Sequence, residues 1–130
     1  MIVSAFDYRF SQDLKMPSEE FVRGVRDICD KNGAMLILDD VRAGFCLSLH
    51  GTWHGLFGIK ADLLCYSKAI ANGYALSALI GSDSCRSGAE KVFATGSFWF
   101  SAAAQAAALA TLKEKFQFDP KNFGSIHLGP

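Results

Sequence analysis

The chain has 130 residues, and its 13 Lys and Arg balance its 13 Asp and Glu, so nothing in its charge points to a polyanion partner or a basic membrane patch. Half of the residues are hydrophobic and 11 are Phe, enough for one domain with a real core. No apolar run is long enough to span a bilayer, no charged leader precedes one, and the four cysteines lack metal-ligand spacing, so they read as reduced thiols of a cytoplasmic protein.

In chain order, Met1 to Phe6 is a short apolar opening that reads as a strand, as though cut from something longer. Asp7 to Pro17 is mixed and reads as loop. Ser18 then has the character of a helix N-cap, with Glu19 and Glu20 in the first turn where the helix dipole favours acids. Phe21, Val22, Val25, Ile28 and Cys29 recur at helical spacing, and Gly33 supplies the stop. Ala34 to Leu38 is apolar without alternation, which predicts a strand covered on both faces in a parallel sheet. Strand, helix, strand over this span is one right-handed βαβ unit. It ends in two carboxylates, Asp39 and Asp40, whose plain reading is a turn or a helix cap.

Phe45 to Phe57 is expected to be irregular, because Gly51 and Gly55 disfavour a stable helix. His50 and His54 would suit a metal only on such a helix, so they read as loop histidines. Leu63 to Tyr66 has the length and type of a buried strand, delivers Ser67 and Lys68 at its end, and is followed by the turn signal Asn72-Gly73. Leu76 to Gly81 is a further strand, and Asp83 is a candidate cap for a short helix through Lys91. Thr95 to Phe100 is a loop of hydroxyls and aromatics. Ser101 to about Phe116 reads as a helix so rich in alanine and leucine that burial most of the way round is expected. Gln117 to Pro130 loses periodicity and reads as a tail.

The chemistry lies at the strand ends, where open α/β sheets hold their ligands. Asp39 and Lys68 each close an apolar strand there, and a buried ion pair is one account of them. The sharper account is a pyridoxal 5'-phosphate site. A lysine amine forms a Schiff base with the aldehyde, and a carboxylate keeps the ring nitrogen protonated so that the ring acts as an electron sink. Val41, two residues past Asp39 on the same side of an extended chain, is positioned to pack on the ring, and Ser97 offers a hydroxyl to the phosphate.

Three ordered motifs, Leu36 to Phe45, Asp62 to Gly73 and Phe93 to Ser101, closely resemble the class III aminotransferases, and within them the glutamate-1-semialdehyde 2,1-aminomutases. The resemblance runs from residue 1 to about 116. It implies an α/β fold, a three-layer sandwich with a mostly parallel sheet, belonging to the large domain of the fold type I pyridoxal phosphate enzymes. By the same resemblance, Asp39 matches the carboxylate on the pyridine nitrogen, Val41 the ring-packing residue and Lys68 the Schiff-base lysine. Ser97 falls where the family usually has a threonine reaching the phosphate of the partner subunit's cofactor, and Asp40 stands in place of a glutamate.

The family's upstream phosphate loop, its ring-stacking aromatic and its small domain do not fit within these residues. The expectation is therefore a partial large domain over residues 1–116 with a divergent tail over 117–130, a fragment of a longer, homodimeric enzyme. That enzyme would transfer an amino group, or move it by 1,2-migration, on a small amino or keto acid, without nucleic acid or membrane. The alternative is a truncated, non-catalytic remnant or interaction module that keeps the fold core.

Overall fold

The computed structural model describes residues 1–8, 14–93 and 101–116. Their strands form one sheet in the order β1 (Ile2–Ser4), β2 (Ile37–Asp39), β3 (Leu63–Tyr66) and β4 (Ala78–Gly81). The first three run parallel, with Val3 opposite Leu38 and Leu38 opposite Leu64. β4 returns antiparallel on β3, with Leu64 opposite Ile80. Parallel neighbours need long crossovers, and the first of these carries α1 (Glu19–Lys31). The carboxyl ends of β1, β2 and β3 therefore lie together along one edge of the sheet.

Ser18 caps α1 as expected, its hydroxyl accepting from the Phe21 N–H at 3.2 Å. The buried stripe is narrower than the apolar spacing suggests. Val22, Val25 and Cys29 are buried, whereas Phe21 and Ile28 are exposed on its flanks. These three pack with Ala5, Leu36, Leu38 and Trp53 in one cluster. Leu36, Leu38 and Leu64 share a face of the sheet by strand alternation and register, and this is the face that the cluster covers. Ile37 and Leu63, on the opposite face, are only half-buried. Covering of β2 on both faces is thus not met among the described residues.

Two further expectations are corrected. Residues 52–57 are not irregular but form the short helix α2 (Thr52–Phe57). Gly51 and Gly58 fall at its two caps, outside the helix, so only Gly55 bears the interior penalty. Trp53, 1% exposed, supplies the burial that holds so short a helix in place. A small helix α3 (Arg86–Ala89) follows the 3₁₀ turn Asp83–Cys85. The last helix, α4 (Ala102–Phe116), is not buried most of the way round. Only Ala104, Ala108 and Thr111 are buried, at i, i+4 and i+7, which is one helical stripe. That stripe packs near Phe45, Tyr66, Ile70 and Ala71. Among the described residues, no helix is long and apolar enough to cross a membrane, and no three His, Cys, Asp or Glu side chains converge as metal ligands.

Asp62, just before β3, ties α1 to the sheet. Its Oδ2 accepts from the Leu36 N–H at 2.7 Å and from Arg26 Nη1 at 2.8 Å. Burial works to raise its carboxyl, but the Leu36 bond and the Arg26 charge outweigh it and hold the group below its usual range. A depressed carboxylate stabilises the fold above the unfolded value near pH 4, and that stabilisation fades as pH falls through the folded value. Asp62→Ala is expected to cost about 2–3 kcal/mol at neutral pH, because the buried Leu36 N–H loses its acceptor. Urea titrations should find this gap between wild type and variant narrowing below about pH 4, as protonation removes the charged part of the Leu36 and Arg26 contacts; a gap of unchanged size in acid would show that the Asp62 charge contributes nothing.

Candidate active site

A cleft of about 990 Å³ opens at the carboxyl ends of the parallel strands. It is lined by Ser4, Ala5 and Phe6 at the end of β1, by Asp39, Val41 and Arg42 at the end of β2, and by Lys68 after β3. Three of the four residues picked out in the sequence, Asp39, Val41 and Lys68, thus meet in one cleft. The fourth, Ser97, lies outside the described residues.

Asp39 is half-buried and its Oδ1 accepts from the Val41 N–H at 3.1 Å. This short Asx contact fixes the carboxylate against its own backbone. The other oxygen has no hydrogen-bond partner among the described residues. Asp40 points the opposite way, as strand alternation requires, and is fully buried. It accepts from Thr52 N at 2.9 Å and from Thr52 Oγ1 at 2.6 Å. Burial pushes the Asp40 carboxyl up, helped by the Asp39 charge and opposed by the two Thr52 bonds. Burial, and after it the Asp40 charge, also push the Tyr66 phenol up to about 12. The two adjacent carboxylates are therefore sorted by geometry, one to the cleft and one to the interior.

Lys68 is exposed to the cleft rather than buried among its apolar neighbours, and it pairs with no carboxylate among the described residues. Its backbone is left-handed, with φ of 48°. A non-glycine residue in that region carries about 1–2 kcal/mol of strain, which the surroundings must hold. Here the next turn does so. Ile70 N donates to Ser67 O at 3.2 Å and Ala71 N to Lys68 O at 3.3 Å. Ser67 Oγ donates to Leu76 O at 2.9 Å and accepts from Ser77 Oγ at 3.1 Å. Asn72, also left-handed at φ 45°, donates to Thr111 Oγ1 of α4 at 2.9 Å. The lysine thus sits on a turn pinned both from the segment leading into β4 and from α4.

The exit from the Asp39 strand is equally constrained. Gly44 lies where a Cβ would come within 2.5 Å of the Tyr66 ring, so only glycine lets the chain pass. Phe45 follows at φ 65°, a costly conformation for a bulky residue, and its ring tilts against Tyr66 at 5.0 Å. Arg42 lies over the Tyr8 ring at 3.9 Å in the cleft, a cation–π contact that no sequence motif announced. Thr52 and Trp53 were equally hidden, since their partners lie 12 and 48 residues away.

Comparison with known proteins shows the family and the fold. The family model of class-III aminotransferases matches residues 14–119. The aminopentol aminotransferase of Sphingopyxis macrogoltabida is 45% identical over 113 residues, covering 87% of this chain and 26% of that protein. The glutamate-1-semialdehyde 2,1-aminomutase of Legionella pneumophila (strain Paris) is 41% identical over 102 residues, covering 76% of this chain and 24% of that protein. Among solved structures, the pyridoxal phosphate internal aldimine form of the Sphingopyxis sp. MTA144 FumI protein aligns with a TM-score of 0.83 at 43% identity, over 90% of this chain and 28% of that one. The chain spans about a quarter of the length of the curated relatives it matches. A mixed sheet with the carboxyl ends of its parallel strands around one cleft is the α/β architecture of fold type I, and this chain belongs to the class III aminotransferases.

Proposed function

We propose that the cleft at the strand ends holds pyridoxal 5'-phosphate and serves amino-group transfer or 1,2-migration on a small amino or keto acid. The observation that carries this reading is the meeting of Asp39, Val41 and Lys68 in one cleft, from strands far apart in sequence. The donor set fits the cofactor: among the described residues, a carboxylate with an uncommitted oxygen for the ring nitrogen, an aliphatic side chain for the ring face and an unpaired primary amine for the aldehyde end. When bound, the cofactor supplies an electron sink for charge developing at the substrate's α-carbon. Asp39 holds a proton on the ring nitrogen, and its Val41 N–H contact keeps the carboxylate turned to that task. Lys68 Nζ anchors the aldehyde end and is the group within the cleft that moves the proton at the substrate's α-carbon. Ser97 is assigned a hydroxyl contact to the phosphate of the partner subunit's cofactor.

The activity is proposed for this chain within a homodimeric protein of its relatives' length; the aminomutase and aminotransferase names among those relatives support both outcomes for the amino group. A second reading, a non-catalytic remnant or interaction module, draws support from apolar side chains left exposed, such as Leu79, Ile80 and Phe93. One experiment separates them. Incubation with pyridoxal 5'-phosphate should give a visible absorbance band that borohydride bleaches as it reduces the C=N bond and fixes the cofactor covalently to Lys68. Peptide mapping that finds the label on another lysine, or spread evenly over several, would remove Lys68 from this role and favour the second reading.

A further inference from the structure

Asp39 presents its side chain to the cleft, but its position is set by residues that never reach it. Asp39 O accepts from Ala5 N at 3.1 Å, and Ala5 O accepts from the Trp53 indole N–H at 2.9 Å. Trp53 follows Thr52, whose N–H and hydroxyl both donate to the Asp40 carboxylate, and Asp40 follows Asp39. Two peptide-linked pairs, Asp39–Asp40 and Thr52–Trp53, and these hydrogen bonds close a circuit through the ends of β1 and β2 and the start of α2. Asp40 N also donates to Cys65 O at 3.0 Å, which joins the circuit to β3, the strand that leads to Lys68. Asp40, Thr52 and Trp53 are each at most 1% exposed, so water does not compete for these bonds.

We propose that Asp40, together with Thr52 and Trp53, is a positioning group for the cleft: the circuit fixes the strand ends that present Asp39 and Val41 without itself touching any ligand. This rests on the reading of the cleft as a pyridoxal phosphate site. The working element is the pair of hydrogen bonds to Thr52 rather than the charge. An asparagine at position 40 can still accept from Thr52 N and donate to Thr52 Oγ1, and it avoids burying a carboxylate. Alanine at position 40, or valine at position 52, breaks the circuit.

The test uses the whole chain with and without pyridoxal 5'-phosphate. Without cofactor, solvent exchange of the Trp53 indole N–H should quicken about tenfold or more in Thr52→Val and Asp40→Ala, and stay near wild type in Thr52→Ser and Asp40→Asn. With cofactor, Thr52→Val should weaken binding about tenfold and shift the pH midpoint of the bound cofactor's visible band, while Thr52→Ser restores both. Should Asp40→Ala fail to fold, the Thr52 pair still decides the matter. Unchanged indole exchange in Thr52→Val would overturn the circuit. Faster exchange with unaltered affinity and band midpoint would overturn the positioning role, since lost stability alone does not move the spectrum of the folded fraction. A wild-type chain without any cofactor band, but with the expected exchange pattern, would overturn the cofactor reading and the role built on it while leaving the hydrogen-bond circuit in place.

Discussion

Asp39→Asn is expected to slow exchange of an amino acid's α-hydrogen with solvent by about 10²–10³-fold, a loss of about 3–4 kcal/mol in the transition state. The reason is charge rather than shape. The amide oxygen can still accept from the Val41 N–H that holds Asp39 Oδ1 at 3.1 Å, so the side chain keeps its place. A neutral amide, however, cannot hold a ring nitrogen in its protonated form as a carboxylate does through a charge-assisted bond. Cofactor binding should survive in part, because Lys68 and Val41 are untouched. Single-turnover measurement of the exchange rate at saturating cofactor separates the two effects. A wild-type rate in Asp39→Asn would rule out the role. Asp40→Asn is the internal control, since an asparagine there keeps both Thr52 contacts and puts no change in the cleft itself.

That control also marks where sequence stops informing. Strand alternation alone sends Asp39 and Asp40 to opposite sides, and an apolar run ending in a charged residue is enough to put Asp39 and Lys68 at strand ends. The N-cap at Ser18 is equally local, a hydroxyl three residues from its donor. What Asp40 faces is not local. Thr52 lies across a loop whose left-handed Phe45 and tight passage at Gly44 have no sequence signature beyond a glycine. The helix at Thr52–Phe57 was masked for a related reason. Glycine content argues against helices on average, whereas here two of the three nearby glycines sit at the caps and Trp53 burial supplies what propensity lacks. Asp62 stands just ahead of a strand, and only the fold brings Arg26 and Leu36 to it. For α4 the failure runs the other way. A composition that permits burial all round does not require it, and one stripe of the helix, with Ala104, Ala108 and Thr111 as its buried residues, makes the contact.

Trp53→Ala is expected to have the largest effect on stability of any single substitution in the core, about 3–5 kcal/mol. The ring is 1% exposed and packs in the cluster formed by Ala5, Val22, Val25, Leu36 and Leu38. Truncation leaves a cavity that β1, α1 and β2 cannot close without moving their strand ends. It also leaves Ala5 O without the indole donor at 2.9 Å, a further cost for an acceptor in a residue 1% exposed. Trp53→Phe keeps most of the ring and loses the donor, so it should cost only about 1–2 kcal/mol. Total stabilities of single domains are about 5–15 kcal/mol, so the alanine variant is expected to populate unfolded chain visibly while the phenylalanine variant does not. Phe93→Ala, at a side chain 85% exposed, should stay within about 0.5 kcal/mol of wild type. Urea midpoints at unchanged slope measure all three. Equal midpoints for Trp53→Ala and Phe93→Ala would mean that the indole contributes no more than a surface ring. In that case α2 would have to be held in place by the Asp40–Thr52 bonds and the packing of Phe57.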